Sequence, residues 1–254
     1  MRELRPWIVA AVLVMASGTT VTAQSEAPPS VKSAAQADPG VLFVNRAMIT
    51  LKAQAPFSAV LKEERTLTDG TRLTPEGEVI MRDRAGRIYR EERMPAPGFE
   101  QSYIQITISD PSRRFQYICD QNSKTCTEVE FKPIAGVRVP TKADGGHFKH
   151  PVTLEDLGTK SFDGVTAEGL RITEVVPAGE MGNDRAITLT SEQWWSEELG
   201  VKMQAKEIDP RTGTWTITMS DVSTAEPDPK YFGVPEGYTL TDMREQIAKG
   251  KGAQ

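Results

Sequence analysis

Alternation of apolar and polar residues dominates the chain from about residue 57 to residue 223 and predicts β-strands. Phe57 to Leu61 alternates in this way, and Asp69-Gly70 after it is a strong hairpin signal. The pattern returns with turn residues between the runs, over 72–82, 88–92, 104–108, 152–157, 164–176, 185–195, 200–208 and 213–223. About eleven strands joined mostly by hairpin-length turns predict a mainly β protein with a single large antiparallel sheet, strongly curved or closing toward a barrel.

One stretch before these strands has helical spacing instead. Asp38-Pro39 resembles an N-cap followed by proline at the first helical position. The apolar residues that then recur at helical spacing are Val41, Val44, Met48 and Leu51. The pattern predicts a short amphipathic helix at about 40–53.

Charged runs within the strands, at 62–65 and 90–93, indicate a sheet with one solvated face and one apolar face. One short helix cannot cover so long a sheet. We therefore expect the sheet to fold over itself and to leave a partly open apolar hollow.

The only two cysteines, Cys119 and Cys126, flank the turn sequence Asp-Gln-Asn-Ser-Lys-Thr between two alternating segments. If residues 121–124 form the loop, the two cysteines face each other in a non-hydrogen-bonded pair, where the backbones approach to about 4.5 Å. That spacing suits a disulfide, whereas a redox pair would more typically be Cys-x-x-Cys opening a helix. We predict a disulfide that staples a hairpin.

The first residues have the three-part layout of a secretory signal peptide. A short positive region precedes ten apolar residues, 7–16, which are fewer than the ~20 that a spanning helix needs. We predict cleavage between Ala23 and Gln24, a flexible leader at 24–40, a β domain at 41–242 and a tail at 243–254. The protein is then periplasmic or secreted, without stable membrane insertion.

Charge excludes one class of partner. The formal net charge is −5, and removal of residues 1–23 would take away two arginines and one glutamate and leave about −6. Nothing in this mixed, mildly acidic chain favours nucleic acid by long-range attraction.

Candidate catalytic and metal-binding residues are few. His147 and His150 are three apart, but glycines precede them, Pro151 follows, and no third ligand is near. Three carboxylate pairs, Glu63-Glu64, Glu91-Glu92 and Glu197-Glu198, resemble acid/base pairs, but neighbours in a strand point to opposite faces, which favours solvated strand edges. Of Trp194 and Trp195, one ring is expected to fill the core. We predict no enzyme activity, no catalytic residue, no metal and no cofactor.

Two segments carry a family resemblance. They are "DLGTKSFDGVTAEGLRITEVV", with Gly-x-Lys-x-hydrophobic-Asp-Gly-Val at 158–165, and "AEPDPKYFGVPEGYTL", with Asp-Pro-x-x-Phe-x-Val-Pro-x-Gly-Tyr at 228–238. They resemble a group of secreted bacterial proteins of uncharacterised function. The long strands that finish in this way are similar to the outer-membrane lipoprotein-carrier superfamily, whose members resemble lipoprotein-localisation factors.

The resemblance implies a half-open β-barrel that is apolar inside, carries one or two short helices and accepts acyl chains. No binding residue can be matched one by one, and the 133–150 loop has no counterpart. The expectation is a periplasmic protein that binds a lipid or a lipidated partner in an apolar cavity. The alternative is an envelope protein-interaction or sensor module without a lipid ligand.

Overall fold

The computed structural model describes residues 41–44, 47–94, 102–134 and 149–242. All of them lie in one compact unit that begins at Asp38. The strands are β1 (Val41–Val44), β2 (Ala47–Thr50), β3 (Phe57–Thr66), β4 (Arg72–Leu73), β5 (Glu78–Arg82), β6 (Ile88–Met94), β7 (Tyr103–Asp110), β8 (Phe115–Asp120), β9 (Thr125–Glu130), β10 (Val152–Phe162), β11 (Val165–Val176), β12 (Ile187–Ser196), β13 (Val201–Asp209), β14 (Gly213–Ser223) and β15 (Thr239–Asp242). Among the described residues, a turn of 3₁₀ helix spans Pro229–Phe232.

These strands form one sheet in the order β10-β11-β12-β13-β14-β3-β5-β6-β7-β8-β9-β15. Neighbouring strands are antiparallel, except that β15 runs parallel to β9. The sheet is open, because β10 and β15 lie at opposite ends of the order and no pairing among the described residues joins them. The predicted mainly β class with one large curved sheet is confirmed.

The strand count exceeds the predicted eleven, partly because the run at 72–82 divides into β4 and β5. The remaining runs agree with the predicted strands to within a few residues, apart from β3 and β10, which extend further than predicted, to Thr66 and Phe162.

The helix predicted at about 40–53 is wrong, because β1 and β2 form an antiparallel hairpin there. Apolar residues occupy so many of these positions that the pattern fits a hairpin as well as a helix. A distant strand decides between them: Ile49 pairs with Val201 of β13, and the Thr50 amide donates to the Gly200 carbonyl oxygen at 2.9 Å.

Alternate residues of the central strands form an inner face, which we define by the side chains that share a face with Leu61 and Ile80. Its main apolar cluster joins distant parts of the chain, since Phe162 and Val165 at the β10–β11 turn pack into it beside residues of β2, β3, β5, β6, β13 and β14. The fully buried members include Phe57, Ile49, Ile80, Ile88, Met203, Ile217 and Met219. The sheet therefore folds over itself, as predicted.

The opposite side of β5–β9, the outer face, carries a second cluster and is covered by the C-terminal segment. Tyr89, Ile106 and Ile108 lie in this cluster with the two cysteines. Phe232 of the 3₁₀ helix fills its centre and is 5% exposed. The charged outer surface expected for these strands is thus an apolar surface under a cover.

Local chemistry explains the shape of the covering segment, which we call the strap (Asp228–Asp242). The Asp228 carboxylate accepts a hydrogen bond from the Lys230 amide at 3.0 Å, and Pro229 opens the 3₁₀ turn. Gly237 has φ +79°, a conformation that favours glycine. The chain then turns into β15, and the Thr239 amide donates to the Lys124 carbonyl oxygen at 2.9 Å. The Asp-Pro-x-x-Phe-x-Val-Pro-x-Gly-Tyr motif is therefore the cover of the outer face.

The β8–β9 hairpin is as predicted. Asp120 pairs with Thr125, and Cys119 pairs with Cys126. The two cysteines form a disulfide with a Cα–Cα distance of 4.0 Å, and both are fully buried.

The predicted signal peptide, its cleavage site at Ala23 and Gln24, the leader and the tail at 243–254 lie outside the described residues, as do residues 135–148 of the predicted loop and His147. Within the described residues, no helix is long and apolar enough to cross a membrane.

Candidate functional site

Polar side chains cross the inner face beside its apolar cluster and form a feature that we call the polar trough. Three hollows lie along it, each lined by residues of neighbouring strands. We name them the amide hollow, the glutamate hollow and the tryptophan hollow. The amide and glutamate hollows lie on strands that follow one another along the chain, whereas the tryptophan hollow depends on the pairing of β3 with the distant β14.

The amide hollow lies on β6, β7 and β8 and has a volume of about 210 Å³. Hydroxyl and amide groups line it, and the Ser109 hydroxyl donates to the Gln116 side-chain oxygen at 3.4 Å. Ile88 and Ile118 form its apolar part. The other lining residues are Arg90, Gln105, Thr107 and Ser109 with Gln116. This hollow presents both hydrogen-bond donors and acceptors, together with a small apolar surface.

The glutamate hollow lies on β3, β5 and β6 and has a volume of about 120 Å³. Glu78, 7% exposed, accepts from the Arg90 Nε at 2.9 Å, and Arg90 also pairs with Glu92. Burial raises the pKa of Glu78, although Arg90 acts in the opposite direction. Two further carboxylates, Glu63 and Glu76, line the same hollow with Arg93.

The tryptophan hollow lies where β3 meets β14 and has a volume of about 380 Å³. The Arg65 guanidinium carbon lies 5.5 Å from the centre of the Trp215 ring. Arg65 also donates from Nε to Glu63 at 2.5 Å, which links this hollow to the glutamate hollow. The remaining lining residues include Leu67, Glu207, Asp209 and Thr214.

The carboxylate pairs are divided between the two faces, as expected for strands. Glu63 and Glu92 lie on the inner face, with side chains 14% and 20% exposed. Glu64 is 50% exposed, and Glu91 accepts a hydrogen bond from the Tyr89 hydroxyl at 2.7 Å on the outer face. The interpretation of these pairs as solvated strand edges is therefore wrong for Glu63 and Glu92. Sequence spacing alone could not reveal this, because the apolar face was expected to be apolar throughout.

The third pair, Glu197 and Glu198, lies in the exposed turn between β12 and β13. Of the two tryptophans, Trp194 packs against the main apolar cluster, in an edge-to-face contact with Phe162 at 6.3 Å between ring centres. The Trp195 indole donates to exposed Glu197 at 3.1 Å. One ring thus serves the core, as predicted.

His150 pairs through Nδ1 with Glu174 of β11, and its Nε2 lies 3.8 Å from Glu180. Lys149 also donates to Glu180, at 2.8 Å. These contacts fix the end of the 133–150 segment on the β11 side of the sheet. The part of the chain that the structure describes contains no group of three or more side chains arranged to hold a metal ion.

No protein-family model matches the chain, and no curated protein matches it. Solved structures similar to it include three from bacteria. In the MucA/MucB complex of Pseudomonas aeruginosa, the matched chain is 12% identical with a TM-score of 0.40, and the match covers 72% of this chain and 56% of that one. The LolA superfamily protein NE2245 of Nitrosomonas europaea is 10% identical with a TM-score of 0.31, and 71% and 90% of the two chains are covered. The Mycobacterium tuberculosis lipoprotein LppX is 14% identical with a TM-score of 0.31, and 67% and 88% are covered.

Proposed function

We propose that this chain is a non-catalytic binding protein of the cell envelope, which holds a lipid or a lipidated partner on the inner face of its sheet. One observation carries the proposal. The inner face changes from apolar to polar within one strand, since Ile80 of β5 lies in the apolar cluster and Glu78, two residues away, lies in the polar trough. Such a boundary suits a ligand that is itself part apolar and part polar.

The binding energy would come mainly from the apolar part of the ligand. Each CH₂ group removed from water contributes about 0.8 kcal/mol. Half-buried Ile118 offers that surface in the amide hollow, where Ile88 is already buried in the protein, and the polar groups beside them would orient the other end of the ligand.

The trough groups support a binding role more than a catalytic one. Arg65 holds Glu63, Arg90 holds Glu78 and Glu92, and Arg93 holds Glu76 at 3.3 Å from Nη2. These pairs occupy the carboxylates with hydrogen bonds, which builds a fixed recognition surface.

A second candidate function is a protein-interaction module, and the size of the hollows favours it. Pockets that enclose whole organic ligands usually measure about 300–1,000 Å³. The amide and glutamate hollows, at about 210 and 120 Å³, are smaller and would accommodate the side chains of a partner protein, whereas the tryptophan hollow, at about 380 Å³, lies within that range.

Native mass spectrometry with organic extraction, on protein purified from its own host, separates the two functions. We expect a co-purifying species of lipid mass. Replacement of Thr107, which lines the amide hollow, by tryptophan should remove that species because the ring would fill the hollow. The same change at Thr188, an exposed residue of β12, is the matched control and should leave it unchanged.

A bare polypeptide that also fails to take up fluorescent fatty acids would contradict the lipid proposal. Recovery of one stoichiometric protein partner from crosslinked cells, without lipid, would then establish the second function.

A further inference from the structure

The three hollows are parts of one continuous surface. The Arg65–Glu63 hydrogen bond joins the tryptophan and glutamate hollows. The Arg90 side chain joins the glutamate and amide hollows, because it lines the amide hollow and pairs with Glu78 and Glu92. From β14 to β8 the trough crosses five inter-strand spacings, or about 24 Å at ~4.8 Å per spacing. An extended polar group therefore fits it better than a single compact head group.

The charges of the trough discriminate against anions. Among the described residues of its glutamate-rich part, four carboxylates (Glu63, Glu76, Glu78 and Glu92) face three guanidinium groups (Arg65, Arg90 and Arg93). Each arginine is already engaged by at least one of these glutamates. A phosphate or carboxylate would have to displace a glutamate to reach an arginine, and it would meet a surface of its own sign.

The amide hollow has a different preference, because Arg90 is the one charged residue among the described residues that line it. The two glutamines of the amide hollow each offer an amide donor and a carbonyl acceptor, and Thr107 adds a hydroxyl, while the buried Ser109 donates its hydroxyl to the Gln116 side-chain oxygen. Hydroxyl groups on a ligand can both donate and accept, so a hydroxyl-rich ligand can satisfy such a surface in either direction. Arginine–glutamate pairs offer the same combination of donors and acceptors without a free net positive charge.

We propose that the polar trough recognises an uncharged, hydroxyl-rich group several units long, with the chemistry of an oligosaccharide, and selects against anionic head groups. The group could be the head of a glycolipid or a free sugar chain. The inference rests on the proposed lipid-binding function only for the glycolipid source.

The test compares probes that share one apolar chain and differ in head group. Titration calorimetry of the full-length protein, below the micelle concentration, would use dodecyl maltoside, dodecyl glucoside, dodecyl phosphate and lauric acid, with maltotriose as the chain-free sugar. We expect the maltoside to bind more tightly than the glucoside, and at least about tenfold more tightly than either anion.

Two single substitutions test the assignment to the trough. Thr107→Val keeps the shape of the side chain and removes its hydroxyl, so it should weaken maltoside binding about fivefold and leave lauric acid unchanged. Glu92→Gln releases one of the two carboxylates on Arg90 and should strengthen dodecyl phosphate binding at least about threefold. Thr188→Val, at an exposed position of β12, is the matched control. A thermal melt of each variant shows whether the fold is intact.

The outcomes separate this inference from the proposed function. Equal binding of lauric acid and the maltoside would overturn the inference and leave lipid binding standing. Binding of maltotriose as tight as that of dodecyl maltoside, with no binding of lauric acid, would support sugar recognition by the polar trough and contradict the proposed lipid binding. A Thr107→Val variant that weakens all probes equally would show a structural role only, and the absence of any binding would overturn both proposals.

Discussion

At the scale of single residues, the most constrained side chain is Arg82, whose exposed fraction is 0%. Its guanidinium donates to the carbonyl oxygens of Ala55 at 2.6 and 2.9 Å and of Thr50 at 2.7 Å, and also to that of Leu199. It also lies 5.0 Å from the centre of the Phe57 ring. Burial lowers the pKa of Arg82 to about 10. One side chain thus joins β5 to the β2–β3 loop and to the β12–β13 turn.

Replacement of Arg82 by methionine should lower the free energy of unfolding by about 3 kcal/mol or more, because three buried carbonyl groups lose their donor. Urea unfolding measures this. The control is Arg84→Met, since Arg84 is 64% exposed and its pair with Glu226 is worth at most about 1 kcal/mol. Equal effects of the two substitutions would contradict the role of Arg82.

Glu78 makes stability depend on pH in an unusual direction. Burial raises its pKa above the ordinary value of 4.5, so over a window above that value the folded protein holds a proton that the unfolded chain has lost. Stability therefore falls as pH rises through this window. The glutamine of Glu78→Gln stays neutral at every pH. The free energy of unfolding of this variant, measured in urea relative to that of the parent protein, should therefore increase from pH 4.5 toward neutrality.

Asp228 provides a control of opposite sign. The backbone amide of Lys230 is the main cause of its lowered pKa, so its contribution to stability is lost as pH falls. The free energy of unfolding of Asp228→Asn, relative to that of the parent protein, should therefore decrease as pH rises from about 3 to 5. A Glu78→Gln difference that stays flat with pH would disprove the assignment to burial.

The same residues show where sequence analysis stops. Alternation placed Glu63 and Glu92 on opposite faces from their neighbours, and that was correct. It did not show that they lie in a trough with Arg90, although β3, β5 and β6 follow one another along the chain, because the inner face was expected to be apolar throughout. Only the tryptophan hollow depends on a pairing between distant segments, that of β3 with β14, which no local pattern records.

At the scale of elements, the strap and the β1–β2 hairpin were the least predictable parts. The strap has little regular structure, yet it covers the outer face. The Arg87 guanidinium carbon lies 5.2 Å from the centre of the Phe232 ring, and the Tyr89 and Tyr231 ring centres lie 5.2 Å apart. Hairpin turns were predictable because their residues are local, as at Cys119–Cys126. The β1–β2 hairpin depends on β13 and was not.

Phe232→Ala should lower the free energy of unfolding by about 3–5 kcal/mol, because it removes a buried ring from the centre of the outer-face cluster. It should also increase binding of a hydrophobic dye, as the strap loosens. Lys230→Ala, in the same turn but exposed, is the control. A loss below 1 kcal/mol in Phe232→Ala would show that the strap is not an essential cover.

At the scale of the whole molecule, the β12–β13 turn is the point where distant parts of the sheet are joined. The Lys52 ammonium donates to the carbonyl oxygens of Glu197 and Glu198 at 3.0 and 3.1 Å. Arg82 and the Thr50 amide bind the next two carbonyl groups, those of Leu199 and Gly200. Four successive carbonyl groups of one turn are thereby bound to residues that are more than 100 positions away.

Gly200 permits this junction, since it has φ +62° and a Cβ there would lie 2.1 Å from the Thr50 hydroxyl oxygen. Gly200→Ala should destabilise the protein by about 2–4 kcal/mol, from backbone strain plus the clash. Gly182 also has positive φ, +76°, but no atom lies within 4 Å of the equivalent Cβ, so Gly182→Ala shows the strain alone. Thermal unfolding of both variants isolates the contribution of the junction, and equal losses would contradict it.

The pairing of β3 with β14 can form only late in the synthesis of the chain. Thr66 pairs with Thr214 and Ser58 with Ser223, so about 150 residues must be made before β3 gains this neighbour. Contacts between such distant segments form late and slow the folding of β proteins. A chain that ends before β14 leaves β3 with an open edge and the apolar cluster without Ile217 and Met219. The fold thus distinguishes a finished chain from an unfinished one, and incomplete chains should remain open to proteases until the last long strand arrives.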